Sequence, residues 1–273
     1  MSTSKELFAA RYGDASLPAP AAWSPIIEHL LNHRSVRAYL PDPVDDDQLA
    51  AIIAAAQSAS SSSNLQVWSV VAVRDPARRV KLAELAAKQD FVATAPLLLV
   101  WIADLARLER AAEMTGRPSG ALDYFETFLM GAIDAALAAQ NAAAAAESLG
   151  LGVVFIGSMR DKPLEVAELL DLPPKTVAVF GMCIGRPDPA RPTSIKPRLP
   201  QSVVLHHERY SLDAQEAGIE TYNAAMARFY EQQKMNVRGA WADHSAKRIA
   251  GAETLSGRDK MVDLLRERGF PLK

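Results

Sequence analysis

The sequence predicts a mixed helix-and-strand fold whose sheet is covered on both faces. Four apolar runs rich in β-branched residues alternate with segments of helical periodicity. One of them, Pro96 to Ile102, has no polar alternation, which places it in the middle of a sheet. A hydrophobic content of 49% over 273 residues is ample to bury such a layer.

Residues 1–22 are rich in Ala, Pro and Ser and read as an extended N-terminal arm whose deletion the fold should tolerate. Trp23, Ile26, Ile27, Leu30 and Leu31 recur at helical spacing, so a first helix delivers His33 and Arg34 at its C-terminal end. Pro41 and Pro43 stop regular structure. Asp45 to Asp47 then open a second helix with acids at its positive end. The run Ser58 to Asn64 ends that helix, because its side chains compete for the backbone.

Leu65 to Val73 is the first strand, closed by Arg74-Asp75-Pro76. Pro76 to Lys88 is a surface helix, and Met114 to Ser119 falls in a loop. Leu122, Phe125, Phe128, Leu129, Ile133 and Leu137 run at helical spacing into Ala142 to Ala146, giving a buried helix that Gly150 caps. Its acids and amides argue against a bilayer span. Val153 to Ile156 is the next strand, Lys162 to Leu170 a short helix with Pro163 in its first turn, and Thr176 to Ile184 the last strand. The expected division is an arm (1–22), a core (23–208) and a helical extension (209–273) that wraps the core or a second subunit.

The formal net charge of -2 offers no electrostatic basis for a nucleic-acid or membrane partner. A lone cysteine, Cys183, in an apolar run excludes an internal disulfide and suits a reducing, cytoplasmic compartment. The histidines lack metal-ligand spacing, so no metal site is expected. Gly150-Leu151-Gly152 precedes a strand and lacks a third glycine, against a dinucleotide fingerprint. No serine lies in a nucleophile elbow.

What remains is a set of anion and hydrogen-bond donors: His33, Arg34, Ser35, Arg37, Ser61, Ser62, Ser63, Gln66, Gln89, Lys196 and Arg198. Read alone, His33 to Arg37 is either a solvated basic turn or an oxyanion grip, and the wider set is either unrelated surface or the site of a cofactor carrying its own chemistry. Flavin mononucleotide (FMN) suits such a set. It needs a phosphate grip, polar contacts at its ring edge and a cation near N1 and O2.

His33-Arg34-Ser35-Val36-Arg37, Ser60 to Ser63, Ala146 to Gly152, Phe155-Ile156-Gly157 and Lys196-Pro197-Arg198-Leu199-Pro200 stand in the order and spacing of one family. In these motifs the chain resembles the oxygen-insensitive, NADPH-using group of FMN-dependent nitroreductases, which includes flavin reductase P. The resemblance implies an α+β fold: an antiparallel four-stranded core flanked by helices, with a possible swapped strand, in a homodimer with FMN at the subunit interface. It implies ping-pong two-electron reduction of nitroaromatics, quinones or flavins by NADPH or NADH through flavin N5. Alternatives are a flavin reductase supplying a partner monooxygenase, or a non-catalytic flavin-binding sensor.

By the same resemblance His33, Arg34, Ser35, Ser61, Ser62, Ser63, Lys196 and Arg198 hold the phosphate and ribityl chain, and Arg37 faces N1 and O2. Gln89 meets the pyrimidine edge, the Gly157 N–H donates to N5, and Leu65, Gln66, Phe155, Ile156 and Ser158 line the pocket. Arg37 and Gly157 are thus the residues nearest the chemistry. The family has Tyr at Phe155 and Gly at Ser158. It has arginines for the coenzyme 2′-phosphate where this chain reads Gln232 and Val237, before Trp241-Ala242-Asp243-His244. Lys234 and Arg238 are the substitutes at hand.

Overall fold

A computed structural model of the chain describes residues 3–237 and 239–273. The helices are α1 (Ser4–Tyr12), α2 (Pro25–Leu31), α3 (Asp46–Gln57), α4 (Pro76–Leu85), α5 (Asp90–Thr94), α6 (Ala106–Thr115), α7 (Phe125–Ser148), α8 (Pro163–Leu169), α9 (Gln201–Val204), α10 (Glu216–Gln232), α11 (Trp241–Arg248) and α12 (Met261–Glu267). The strands are β1 (Trp68–Val73), β2 (Leu97–Asp104), β3 (Gly152–Ile156) and β4 (Thr176–Gly185). Two compact units emerge: Met1–Arg34 with Thr193–Leu255, and Ser35–Pro192 with Ser256–Lys273.

The second unit contains the sheet, in the order β1-β2-β4-β3 with every pair antiparallel. β2 is buried throughout, which its lack of alternation predicts. Leu97, Leu99 and Trp101 face one core shared with α3 and α7, whereas Leu98 and Val100 face another shared with α4 and α8. A third cluster closes around Val67, Leu105, Leu265 and Phe270, so the last residues of the chain complete this unit.

Two elements differ from the sequence expectation in register. The first strand begins at Trp68 rather than Leu65, because Ser63, Asn64 and Gln66 have φ of 48°, 55° and 51°, which no strand accommodates. α6 occupies residues left unassigned by periodicity and runs to Thr115, so the following loop is shorter than Met114 to Ser119.

α7 is long and apolar enough to cross a membrane, alone in this among the described residues. Its packing is inverted relative to the bulky periodicity. Ala135, Ala138, Ala139, Ala142, Ala143 and Ala146 lie on the sheet, where small side chains let helix and strands approach closely. Phe125, Leu129, Ile133 and Leu137 point outward, 39% to 50% exposed.

In the first unit the N-terminal arm is helical over Ser4–Tyr12 rather than extended throughout. Thr3 and Glu6 form a reciprocal capping box on α1, and Gly13 ends it in the left-handed region at φ 66°. The Thr-x-x-Glu signature is present in the sequence but hidden by the small residues around it. Arg11 on this helix is buried, so the arm takes part in the packing of this unit.

Candidate functional site

In the first unit, one buried arginine gathers the turn after α2 and the Lys196-Pro197-Arg198 connector. Arg11 Nη2 donates to the carbonyls of Leu31 and His33, both at 2.7 Å, and Nη1 donates to the carbonyl of Lys196 at 3.0 Å. Its own carbonyl accepts the Arg198 N–H at 2.8 Å. The turn after α2 and the Lys196-Pro197-Arg198 connector therefore lie side by side. Arg34, Lys196 and Arg198 have exposed side chains, and Arg34 Nη1 donates to Asn32 Oδ1 at 2.8 Å. Buried Tyr222 also meets the connector, donating from its hydroxyl to the Pro197 carbonyl at 3.0 Å, and packs edge-on against Trp241.

A cavity of about 500 Å³ in the same unit is lined by Gly13, Ser194, Pro197, Arg228, Gln232 and neighbours. Gln232 thus lines this cavity. Lys234 is exposed nearby in sequence, and Arg238 lies outside the described residues.

In the second unit the remaining residues fall into sets at opposite edges of the sheet. At the β3 edge, Ser35 pairs in parallel with Val153, and the Val36 N–H donates to the Val153 carbonyl at 2.9 Å. This bridged segment carries Arg37, whose guanidinium sits 5.9 Å from the centre of the Phe91 ring. Gly152 is required here. A Cβ on it would lie 2.6 to 2.9 Å from the side chain of Val36.

Two residues beyond β3, the Ser158 hydroxyl accepts from Gln89 Nε2 and donates to the Ala86 carbonyl at 3.2 Å. Gln89 Nε2 donates also to that carbonyl, at 3.0 Å. With its amide nitrogen engaged, Gln89 offers Oε1 as its acceptor for a ligand. Ser158 is buried and faces Gln89, so it sets the glutamine rather than lining a substrate surface. Ile156 is core, with only its backbone to offer, whereas Phe155 is 38% exposed and meets Phe180 edge-on. Arg160, whose Nη1 donates to the Val179 carbonyl, places Nη2 3.6 Å from where a Gly157 Cβ would be. Burial lowers the pKa of this guanidinium.

At the β1 edge the serine loop is built around a buried carboxylate. Asp134 on α7 accepts from the Ser61 hydroxyl at 2.6 Å and from the Ser62 and Val67 N–H groups, both at 3.3 Å. Ser61 Oγ in turn accepts the Gln66 N–H at 2.7 Å. Ser61 is therefore committed to holding the loop, while Ser62, Ser63 and Gln66 are exposed and Leu65 is half-buried. Arg107 anchors the far side, donating to the carbonyls of Gln66 at 2.8 Å and Trp68 at 3.1 Å.

Cys183 is buried, and desolvation pushes its thiol up to about 12, partly offset by the nearby Arg79 charge. It is a packing residue, not a nucleophile.

Arg11, Asp134, Arg107, Tyr222 and Arg160 were not among the residues that the sequence marked out. The only prior signal for Asp134 is a carboxylate inside an alanine-rich helix, and Arg11 stands within an uninformative arm.

These segments correspond to a known pattern. The Nitroreductase family matches residues 30–186, and its C-terminal domain matches residues 196–273. The NADPH-flavin oxidoreductase of Vibrio harveyi is 39% identical over 82% of this chain and 91% of its own. The oxygen-insensitive NADPH nitroreductase of Salmonella typhimurium is 41% identical over 81% of this chain and 89% of its own. Among solved structures, Bacillus megaterium NfrA2 superposes with a TM-score of 0.85 at 37% identity, covering 92% of this chain and all of its own. Matching both family regions from the His33–Arg37 turn to the C-terminus, with the sheet and helices in the same arrangement, the chain belongs to the nitroreductase family.

Proposed function

We propose that the chain is an FMN-dependent NAD(P)H oxidoreductase that reduces small acceptors such as nitroaromatics, quinones or free flavins. The observation that carries this is the donor set at the β3 edge. Arg37 is stacked on Phe91, and Gln89 is oriented by Ser158 two residues before that ring. A fixed cation and an oriented amide beside a backbone turn suit the edge of a flavin, with its acceptor O2 and N1 and its N3–H donor. The group fits the residues present.

FMN, when bound, supplies hydride acceptance and donation at N5. The protein's part is to bind, orient and bias. His33, Arg34, Lys196 and Arg198 would take the phosphate, with Ser35, Ser62 and Ser63 adding hydrogen bonds along the ribityl chain. Arg37 would lie at N1 and O2, where its charge would favour the electron-rich ring. Gln89 Oε1 would accept from N3–H, and the Gly157 N–H would face N5. Phe155 and Leu65 exclude water beside the ring. Protons reach the products from water.

The active form is proposed to be a homodimer. Ser62 and Ser63 precede β1 while Arg37 and Gly157 adjoin β3, across three strand spacings or about 14 Å. One flavin ring and its side chain contact both sets when two copies combine opposite edges, and the exposed apolar stripe on α7 supplies a surface to bury. The single cysteine accords with a cytoplasmic setting.

The test is a visible spectrum of the purified protein under anaerobic conditions before and after NADPH and NADH. A flavin spectrum bleached by either is expected. A colourless protein that FMN does not reconstitute refutes the proposal. Undiminished turnover and FMN content in Arg37→Ala removes the role given to that residue. Comparable kcat/KM for the two coenzymes is expected, since Gln232 and Val237 replace phosphate-binding arginines. Strong NADPH preference would assign that task to Lys234 or Arg238. A higher kcat/KM for free FMN than for a nitroarene would favour supply of reduced flavin to a partner monooxygenase.

A further inference from the structure

We infer that Arg11, on the N-terminal helix, is a positioning residue for the phosphate end of the flavin. The inference rests on the proposed assignment of His33, Arg34, Lys196 and Arg198 to that phosphate. Arg11 is only 7% exposed, and it touches the backbone of both segments that carry those side chains. It takes the carbonyls of Leu31, His33 and Lys196 and returns its own carbonyl to the Arg198 N–H. Four bonds from one residue thus fix the spacing between the turn after α2 and the connector.

The direction of these bonds matters as much as their number. In a trans peptide the carbonyl and the following N–H point oppositely, so drawing the His33 carbonyl toward Arg11 turns the Arg34 N–H away from it, outward with the exposed cations. The connector is held likewise from within, by Arg11 at Lys196 and Tyr222 at Pro197. Arg34, Lys196 and Arg198 on these segments all carry positive charge. A buried guanidinium behind them both holds the frame and adds to its positive potential.

Arg11 is itself held in place. The capping box closes the start of α1. At its end the Gly13 carbonyl accepts from Arg228 Nη2 at 3.0 Å, and a Cβ on Gly13 would reach 3.0 Å from that of Ala225. The N-terminal helix is therefore joined to α10 and to the connector. Its function is to make the anion grip rigid before the cofactor binds, which lowers the ordering cost of binding.

The experiment compares FMN with riboflavin, which lacks the phosphate, on full-length dialysed protein by flavin fluorescence titration. In Arg11→Ala, FMN affinity should fall by about 30-fold while riboflavin affinity changes by less than about threefold, and kcat at saturating FMN stays within about twofold. Arg11→Lys keeps the charge without the forked reach, and should show an intermediate loss confined to FMN. Should Arg11→Ala not fold, the lysine variant decides by the same ratio. Equal losses for FMN and riboflavin, or no loss for either, overturn the inference. Arg34→Ala and Lys196→Ala run alongside. If they weaken FMN and Arg11→Ala does not, the positioning role is wrong. If none of the three weakens FMN, the phosphate assignment beneath it is wrong as well.

Discussion

Replacing Asp134 by alanine should uncouple the serine loop from the sheet. The carboxylate is 2% exposed and accepts from Ser61 Oγ, the Ser62 N–H and the Val67 N–H. Val67 is fully buried, so its N–H would be left without an acceptor, at a cost of about 1–3 kcal/mol. Ser61 and Ser62 are nearer water and lose about 0.5–1 kcal/mol each. The sum is about 2–5 kcal/mol, read as the change in unfolding free energy by denaturant titration. Asp134→Asn keeps one acceptor oxygen and should lose less. Because Ser61 also holds the Gln66 N–H, FMN affinity should fall with the loop, by about tenfold on a loss of about 1.4 kcal/mol in preorganised contacts. An Asp134→Ala protein within about 0.5 kcal/mol of the parent would refute the reasoning, since that is the ordinary range of surface substitutions.

Three further outcomes follow from contacts at the β3 edge and in β4. Gly152→Ala should destabilise by about 1–3 kcal/mol and weaken FMN, because its Cβ would press on Val36, and Val36→Ala should recover most of both losses in the double mutant. Additive effects by denaturation and flavin titration would show the two do not meet. Ser158→Ala should cost about 1–2 kcal/mol and lower FMN affinity severalfold by freeing Gln89, with no further loss of binding when it is added to Gln89→Ala. Cys183 is held protonated by burial: its thiol is raised from 9.0 to about 12, so its stabilising contribution is intact below pH 9 and is lost as pH climbs toward 12. Melting temperatures across that window should fall less steeply in Cys183→Ala than in the parent, and parallel curves would contradict this.

The sheet was legible because its signal is local. An unbroken apolar run marks β2, and Gly150 and Pro173 punctuate the approaches to β3 and β4. The proposed ligand side chains stand out for the same reason: basic and hydroxyl residues cluster within a few positions. Other features depend on contacts remote in sequence. Ala87 and Lys88 adopt φ of 59° and 54° without a glycine to signal it, which turns the chain from α4 to present Gln89. α7 displays its bulky residues outward and its alanines inward, the reverse of what size suggests. Periodicity identifies a helix with two unlike faces, but not which face meets the sheet when small residues pack best there.

The same division separates the residues that meet a ligand from those that aim them. Arg34, Lys196, Ser62 and Arg37 are exposed and chemically conspicuous, yet each stands on a long or mobile side chain or on a loop that solvent alone would leave free. Their order comes from groups facing the interior. Arg11 collects carbonyls from the turn and connector, Asp134 collects donors from the serine loop, and Ser158 orients Gln89. In the first two cases a buried charge is satisfied largely by backbone groups, so its placement is set by the path of the chain and not by a partner side chain nearby in sequence. Exchanging an exposed ligand therefore alters which anion or ring is held, whereas exchanging a buried organiser alters how much ordering the ligand must impose as it binds.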